Sequence, residues 1–555
     1  MRSRASTLVL VGCPLVAFLL IALFSSWVLV HHDYEAEYLA LGNLAVRGQL
    51  NLYQDEMTGQ WVPLPFYFFG ASQLPFGPSL VAGRLLSIAV GLVAAVLLLT
   101  LAMRWGGPPA AAVAGGLFAT HGLVVGYYAT VDFSPLAAVL HLLGVYVLFC
   151  TGWPRRDLTA MAVFSVLFLV KPHYWPTIPF VWLYLLWRAG SLRQRLAITA
   201  VALAVPTAFF AWDPRHLKIL AYVPVLRDWV APLGYRSWHT LIEDRAEVWV
   251  SEYVDVVWQT TPGAQAVELV KAFAFFLKRY AVWILLLAGL GGLALLQAVR
   301  RRAPADVWGP DGLRFVFWLF WYLVGFQFVI VGPYIKQGFA YVGGIAPLLA
   351  LVIGCLFATV WGRLGLPGPL RLAVAAAVIA GIAVSPWIHR AHNLPRTVSL
   401  EDGAIPFLRG VAARLATAIP AGETRIFFLG DPLPMYLAGR QPYLRQFHQH
   451  NMVFTSSRDR SVYVRSGMWG LPEIEDWLGS DARYAIIQRK VFRFYGSRKP
   501  YLEPVERMNA LLAERFTLVH TVPLRADDAF LVYRRKDGPV ATPPARECQC
   551  PATSS

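Results

Sequence analysis

Apolar segments long enough to cross a lipid bilayer recur along the first 388 residues of this chain. A helix needs about 20 apolar residues to span the hydrocarbon core, and the shorter segments here are separated from their neighbours by a polar break. The sequence, with 57% hydrophobic and 15% charged residues among 555, is too apolar for a water-soluble globule. It therefore predicts a polytopic α-helical membrane protein with about 11 transmembrane helices. These predicted spans are Leu8–Val30, Ser79–Met103, Ala110–Tyr128, Phe133–Cys150, Leu158–Val170, Tyr174–Trp187, Leu196–Ala211, Ala281–Ala298, Phe315–Val331, Tyr341–Val360 and Leu372–Ile388.

Arginine is concentrated in the short loops that fall on one side of the membrane when these spans alternate. By the positive-inside rule that side is cytoplasmic, which puts the N-terminus there and the longer loops on the outer side. The rule also accounts for the net charge of +16 without a nucleic-acid partner. The residues concerned are Arg2, Arg4, Arg104, Arg155, Arg156, Arg188, Arg193, Arg195, Arg300, Arg301, Arg302, Arg363 and Arg371.

The first outer loop, residues 31–78, opens with three acids in HHDYEAEYLALG. Asp33, Glu35 and Glu37 follow the first span within one or two helical turns, where an unpaired carboxylate is costly unless it serves a site or faces water. In a helix, Asp33 and Glu37 share a face beside an apolar stripe, so the segment is predicted to be an amphipathic helix on or in the membrane surface. A solvated helix with ordinary surface acids is an equally open interpretation. The stripe consists of Tyr34, Tyr38, Leu41 and Ala45.

Further ionisable residues lie at the same predicted outer face. Asp132 stands in YYATVDFSP between the third and fourth spans, where it either serves a site or caps the next helix. Arg84 begins the second span, Lys171 lies in the KPHYWP junction, and Lys336 lies before the tenth span. Each cation alone could be explained by a side chain that extends to the membrane surface or is attracted to anionic lipid headgroups. The three cations together indicate an anionic ligand.

Beyond the last span, residues 389–536 alternate helix-like and strand-like segments, which predicts a small outward-facing α/β domain. The Pro-rich tail, 537–555, is predicted to be disordered, and the tryptophan-rich outer loop, 212–280, is predicted to lie at the interface. The strand-like runs are Thr424–Leu429, Ala485–Gln488, Thr517–Val522 and Ala529–Tyr533, and the helix-like segments are Ile405–Ala418, Pro472–Leu478 and Val505–Arg515.

Several stretches together resemble the GT-C glycosyltransferases. They are the acid after the first span with Gly48, Leu52 and Tyr53 downstream, FGPSLVAGRLLSI, YYATVDFSPLAAVL, VLFLVKPHYWPTIPFVWLYLL, IKQGFAYVGGIAPLLALV and PMYLAGRQPYLRQFH. The nearest resemblance is to the branch with the protein O-mannosyltransferases (glycosyltransferase family 39) and the bacterial lipid A aminoarabinose transferases. That branch often has Asp followed directly by Glu, whereas Tyr34 follows Asp33 here.

The resemblance implies transfer of a hexosyl or pentosyl group from a polyprenyl-phosphate-sugar donor to an acceptor hydroxyl on a glycan, lipid or protein. The reaction would invert the anomeric carbon at the outer face of a bacterial plasma (inner) membrane. Asp33 would be the general base, since a single inverting displacement needs no enzyme nucleophile. Glu35, Glu37 and Asp132 would position the acceptor or the donor sugar. The charge on the lipid phosphate would be balanced by Arg84, Lys171 and Lys336, with His173 and Tyr341 as weaker contacts.

No cofactor is expected. A divalent cation could be bound if four side chains approached one another, those of His32, Asp33, Glu37 and Asp132. A hard cation needs several oxygen ligands, however, and the spacing of these residues does not define such a set. The branch that the sequence resembles does not generally need a bound divalent ion, so the prediction is no metal.

A chain with many spans and with charged residues at one membrane face is also compatible with two other classes of protein. One is a multi-pass transporter or lipid flippase, and the other is a non-catalytic scaffold. Against a transporter, the charges cluster at the membrane face rather than mid-span, and the sequence shows no inverted repeat.

Overall fold

The computed structural model describes residues 4–30, 33–52, 62–222, 227–230, 232, 262–301, 310–330, 342–363, 368–388, 403–447, 469–496, 502–524 and 527–536. Within these residues the chain divides into two compact units, with the change between Phe407 and Leu408. The first unit is helical, and the second combines helices with a sheet.

The helices of the first unit are, in chain order, α1 Arg4–Val28, α2 Asp33–Val46, α3 Pro63–Ala71, α4 Leu80–Thr120, α5 Gly122–Ala129, α6 Ser134–Cys150, α7 Arg156–Val166, α8 Thr177–Arg188, α9 Leu192–Trp212, α10 Arg227–Val230, α11 Pro262–Arg279, α12 Ala281–Arg301, α13 Asp311–Ile330, α14 Ala346–Ala358 and α15 Gly368–Ile388. Short 3₁₀ turns at Leu167–Leu169 and Pro172–Tyr174 connect α7 to α8, and another at Pro214–Tyr222 follows α9.

Four of the described helices are long and apolar enough to cross a membrane, and six spans result if two bent helix pairs each count as one. The bent pairs are α5 with α6, at 106°, and the end of α11 with α12, at 87°. The four apolar stretches are Val11–Val28, Leu80–Thr120, Leu192–Trp212 and Gly368–Ile388. A helical, multi-pass protein is therefore confirmed, while the count of 11 spans and their orientation stay predictions. The shorter helices α7 and α8 occupy the fifth and sixth predicted spans.

Helix α4 covers nearly all of the second predicted span and the first part of the third, Ala110–Tyr128, which continues into α5. Its backbone leaves the helical region at Gly107, with φ 75° and ψ −167°, in the left-handed half of conformational space that favours glycine. Pro108 and Pro109 follow, in positions where a restarted helix needs no N–H donor. The polar break RWGGPP between two predicted spans thus corresponds to a kink.

Helix α2 differs from the amphipathic surface helix that the sequence predicts. All described residues from Glu35 to Asn43 are buried, including both Glu35 and Glu37. The apolar stripe packs as expected, for example Tyr38 against the rings of Phe66 and Phe69 in α3. The polar side, however, is covered by protein rather than by water or headgroups, so this helix belongs to the interior.

Helix α16, Ala404–Ala418, begins at the end of the first unit and continues into the second. The other elements of the second unit are α17 Pro432–Leu437, α18 Leu471–Asp476, α19 Arg489–Gly496 and α20 Leu502–Arg515, with strands β1 Ile426–Leu429, β2 Tyr484–Gln488, β3 Phe516–Pro523 and β4 Ala529–Arg535. The strand order is β1-β2-β4-β3, with β1 parallel to β2 and the other two pairs antiparallel.

One face of this sheet packs against a buried hydrophobic cluster. Phe427 and Leu429 of β1 and Ala485 and Ile487 of β2 alternate toward it, and they share a buried cluster with Met508 of α20. The small C-terminal sheet that the sequence predicts is confirmed. Its outward orientation and the domain boundaries 1–388 and 389–536 stay predictions, and the tail 537–555 lies outside the described residues.

Helices α2 and α3 cross where two glycines let their backbones touch. A methyl group added at Gly42 would overlap the backbone carbonyl of Phe66, and one added at Gly70 would overlap the backbone at Gly42. Such close approach through small residues is a common way for helices to pack in membranes. The position of α2, and therefore of its acids, depends on this contact.

We expect Gly42→Ala to lower the stability of the protein by about 1–3 kcal/mol, since α3 must move away from α2. Thermal unfolding in detergent measures the change. Gly289→Ala in α12 is the matched control, because no atom lies within 4 Å of the added carbon there and alanine favours a helix. A Gly42→Ala protein that melts at or above the wild-type temperature would contradict this packing.

Candidate functional site

A buried ion pair joins Glu35, in the first turn of α2, to Arg84, near the start of α4. The Nε of Arg84 donates to Oε1 of Glu35 at 2.9 Å, and Nη2 donates to Oε2 at 2.7 Å. The side chains are 0% and 1% exposed. This two-point geometry is the strongest form of an arginine–carboxylate contact.

Backbone groups complete the coordination of this pair. Nη1 of Arg84 donates to the carbonyl of Leu29 at 3.1 Å and to that of Ser26 at 2.5 Å, at the end of α1. Oε1 of Glu35 also accepts from the Val131 amide at 2.8 Å. The pair therefore connects four segments of the chain: the end of α1, α2, α4 and the turn between α5 and α6.

A second charged group consists of Glu37, Asp132 and Lys171, all three buried. Oδ1 of Asp132 accepts from the Ser134 amide at 2.7 Å, at the residue where α6 begins. The N-cap position itself is held by Phe133, so Asp132 is not the capping residue that one interpretation of the sequence predicts. The negative charges of Glu37 and Asp132 both act on the Lys171 amine. Three residues from separate parts of the sequence thus meet in one place, and Glu37 lies on a different side of α2 from Glu35.

Burial is the dominant influence on Lys171. It lowers the pKa of the amine to about 7, even though Glu37 and Asp132 both act to raise it. The Nζ atom lies 5.0 Å from the centre of the Phe133 ring, an arrangement that favours the protonated amine. Burial and the charge of Lys171 also hold the pKa of the neighbouring His173 well below its ordinary value. Near neutral pH, Lys171 can therefore change its charge in response to a ligand.

Six of the nine predicted site residues have described side chains. Five of them form the two groups above, and the sixth, His173, lies near Lys171. Two further residues contact these groups: the Val131 amide donates to Glu35, and the Phe133 ring faces Lys171. Neither is a predicted site residue, although both stand beside Asp132 in YYATVDFSP. Asp33 begins α2, one turn before Glu37, but its side chain lies outside the described part, as do Lys336 and Tyr341.

Among the described residues, no group of three or more His, Cys, Asp or Glu side chains is placed to hold a metal ion. The acids here face arginine, lysine and backbone amides instead. The carboxylates of these two groups have the chemistry to hydrogen-bond a polar ligand. The Lys171 amine has the chemistry to gain or lose a proton near neutral pH.

No protein-family model matches this sequence, and no curated protein matches it either. Solved structures do match its fold. The ArnT crystal structure from Cupriavidus metallidurans bound to undecaprenyl phosphate has a TM-score of 0.56 at 13% identity, over 96% of this chain and 98% of that one. The same protein in the apo state has a TM-score of 0.54 at 14% identity, over 94% and 97% of the two chains.

An oligosaccharyltransferase from Archaeoglobus fulgidus, in complex with zinc and sulfate, has a TM-score of 0.51 at 13% identity, over 89% of this chain and 70% of that one. At such identities the likeness concerns the fold. The protein has the GT-C fold, which confirms at that level the resemblance drawn from its sequence.

Breaking the Glu35–Arg84 pair on one side leaves a buried charge without compensation. We expect Glu35→Gln to lower stability by about 3–5 kcal/mol, seen as a large loss of thermal stability in detergent. Arg314→Gln is the matched control: its pair with Asp311 has the same 2.7 Å separation but is 49% and 79% exposed, so its loss should cost less than about 1 kcal/mol. Equal effects of the two substitutions would refute a special role for the buried pair.

Proposed function

We propose that this protein is a membrane glycosyltransferase that moves a sugar from a polyprenyl-phosphate-linked donor to an acceptor hydroxyl. The observation that carries the proposal is the GT-C fold over nearly the whole length of this chain and of ArnT, whose matched structure holds undecaprenyl phosphate. The buried carboxylates and the lysine described above supply side chains of the kind that such a reaction uses.

The proposed reaction is a single displacement with inversion. The acceptor oxygen forms a bond to the anomeric carbon while the bond from that carbon to the phosphate oxygen breaks. Asp33 takes the hydroxyl proton, and the polyprenyl phosphate leaves with the bonding electron pair. Positive charge develops on the sugar ring in the transition state, so carboxylates such as Glu37 and Asp132 would favour it while they orient hydroxyl groups.

The roles of the cations and of Glu35 follow from their contacts. Because the guanidinium of Arg84 already binds Glu35 and two carbonyls, we assign Arg84 and Glu35 to positioning the site rather than to touching the substrate. Lys171 is then the described cation that would approach the donor phosphate, with His173 beside it. Lys336 and Tyr341 keep the phosphate-binding role that the sequence resemblance implies.

Sugar transfer by the purified protein in nanodiscs tests the function. With a panel of hexosyl and pentosyl polyprenyl phosphates, we expect one donor to release free polyprenyl phosphate. Asp33→Asn should slow release by about 100- to 10,000-fold, because it removes the base and keeps the shape. Asp311→Asn, which changes an exposed acid, should leave the rate unchanged.

A folded protein that consumes no donor in this panel would overturn the proposal, and lipid or solute transport would become the function to examine. Normal turnover by Asp33→Asn would instead remove Asp33 from the mechanism and leave the reaction class intact.

Donor binding should also take up protons in a defined pH range. At pH 8 the Lys171 amine, with its pKa lowered to about 7, is mostly neutral; a phosphodiester anion nearby would raise that pKa and draw in up to about one proton. At pH 6 the amine is already protonated, so uptake should disappear. Titration calorimetry in buffers of different ionisation enthalpy measures this number.

Lys171→Met is the control for this measurement, because it keeps a long apolar stem without the amine. Uptake at pH 8 should be absent in this variant. If Lys171→Met bound donor with the wild-type proton uptake, another group would be responsible and Lys171 would not contact the phosphate.

A further inference from the structure

A groove of about 470 Å³ opens between α1, α4 and α6, away from the charged groups described above. Its walls include Val11 and Leu15 of α1 and Val96 and Leu99 of α4. Leu99 is 3% exposed and forms the floor, whereas Val96 is 49% exposed at the rim. A long apolar chain would find hydrophobic contact along this surface.

One end of the groove is polar. Arg104 of α4 and Tyr146 of α6 line it there. Arg104 is exposed, and no salt bridge is found for it among the described residues. The groove thus changes from apolar to cationic along its length, as a lipid changes from chain to headgroup.

Helix geometry places this polar end at a membrane boundary. Arg104 follows Arg84 by 20 residues in the unkinked half of α4, which is about 30 Å at 1.5 Å per residue. That distance equals the usual thickness of the hydrocarbon core, about 30 Å. If Arg84 stands at one boundary of the hydrocarbon core, as the sequence predicts, Arg104 would lie at headgroup level in the opposite leaflet.

The surface around the groove faces lipid by its composition. Val16 of α1 and Val93 of α4 are 56% and 50% exposed on apolar helices that are long enough to span a membrane. Helices with such an apolar exposed surface contact acyl chains in a bilayer, so a lipid is the occupant that these surroundings would supply. The arginine selects among bilayer lipids by charge.

We infer that this groove binds an anionic phospholipid, with one acyl chain along Val11, Leu15 and Leu99 and the phosphate at Arg104. Tyr146 also lines the groove, and its hydroxyl is a further hydrogen-bond donor for a phosphate oxygen. This site is separate from the proposed donor site, and its test needs no turnover.

Retention of lipid through purification tests the site. The full-length protein in nanodiscs of phosphatidylglycerol and phosphatidylcholine is transferred to detergent, and bound lipid is counted by native mass spectrometry. We expect phosphatidylglycerol to be retained, and Arg104→Gln to reduce its retention about fivefold, which is the usual contribution of one cation near an anionic surface. Arg155→Gln, which changes an exposed arginine before α7, should retain the wild-type amount.

A second variant, Val96→Trp, fills the groove without changing its charge and should also reduce retention. Thermal unfolding in lipid-free detergent checks that each variant is folded. Equal losses from Arg104→Gln and Arg155→Gln, or equal retention of both lipids by the wild type, would overturn the site. Displacement of the bound phospholipid by an equimolar polyprenyl phosphate would overturn the choice of ligand.

Discussion

The buried pair of Glu35 and Arg84 is the interaction on which the arrangement of this site depends. Removing two charges from water costs several kcal/mol each, and the cost is offset only when every polar atom finds a partner. Here the carboxylate also accepts from Val131, and the guanidinium also donates to the carbonyls of Ser26 and Leu29. Four segments must come together for this to happen, so the pair selects one arrangement of them.

Fixing Glu35 also fixes the rotation of α2 about its axis. Residues two apart in a helix point about 200° apart, so a helix with Glu35 directed at Arg84 must direct Glu37 to another side. There Glu37 acts on Lys171, beside Asp132. The Gly42–Gly70 contact sets the distance of the same helix from α3. A spacing of two residues thus separates the acid that binds Arg84 from the acid that acts on Lys171.

Local patterns predicted much of this molecule, because strands and kinks depend on neighbours in sequence. The strand-like run Ala485–Gln488 lies within Tyr484–Gln488, and the break between two predicted spans falls at the Gly107 kink. The partner of Glu35 was not predictable in this way, since Arg84 lies 49 residues further on. For the same reason α2 was predicted to be a surface helix: a polar face covered by distant side chains has the same local pattern as one covered by water.

The cation of the Glu35–Arg84 pair and the cation of the group of Glu37, Asp132 and Lys171 differ in their chemistry. The donors of the Arg84 guanidinium are already directed at Glu35 and two backbone carbonyls, so this cation keeps a fixed geometry. Lys171 has a compact amine whose pKa responds to each new charge, and burial has already brought that pKa to about 7. A cation of the second kind suits the anionic donor that we propose, because its charge can adjust when an anion binds and leaves. The arginine fixes the geometry of this region, and the lysine adds a charge that can change.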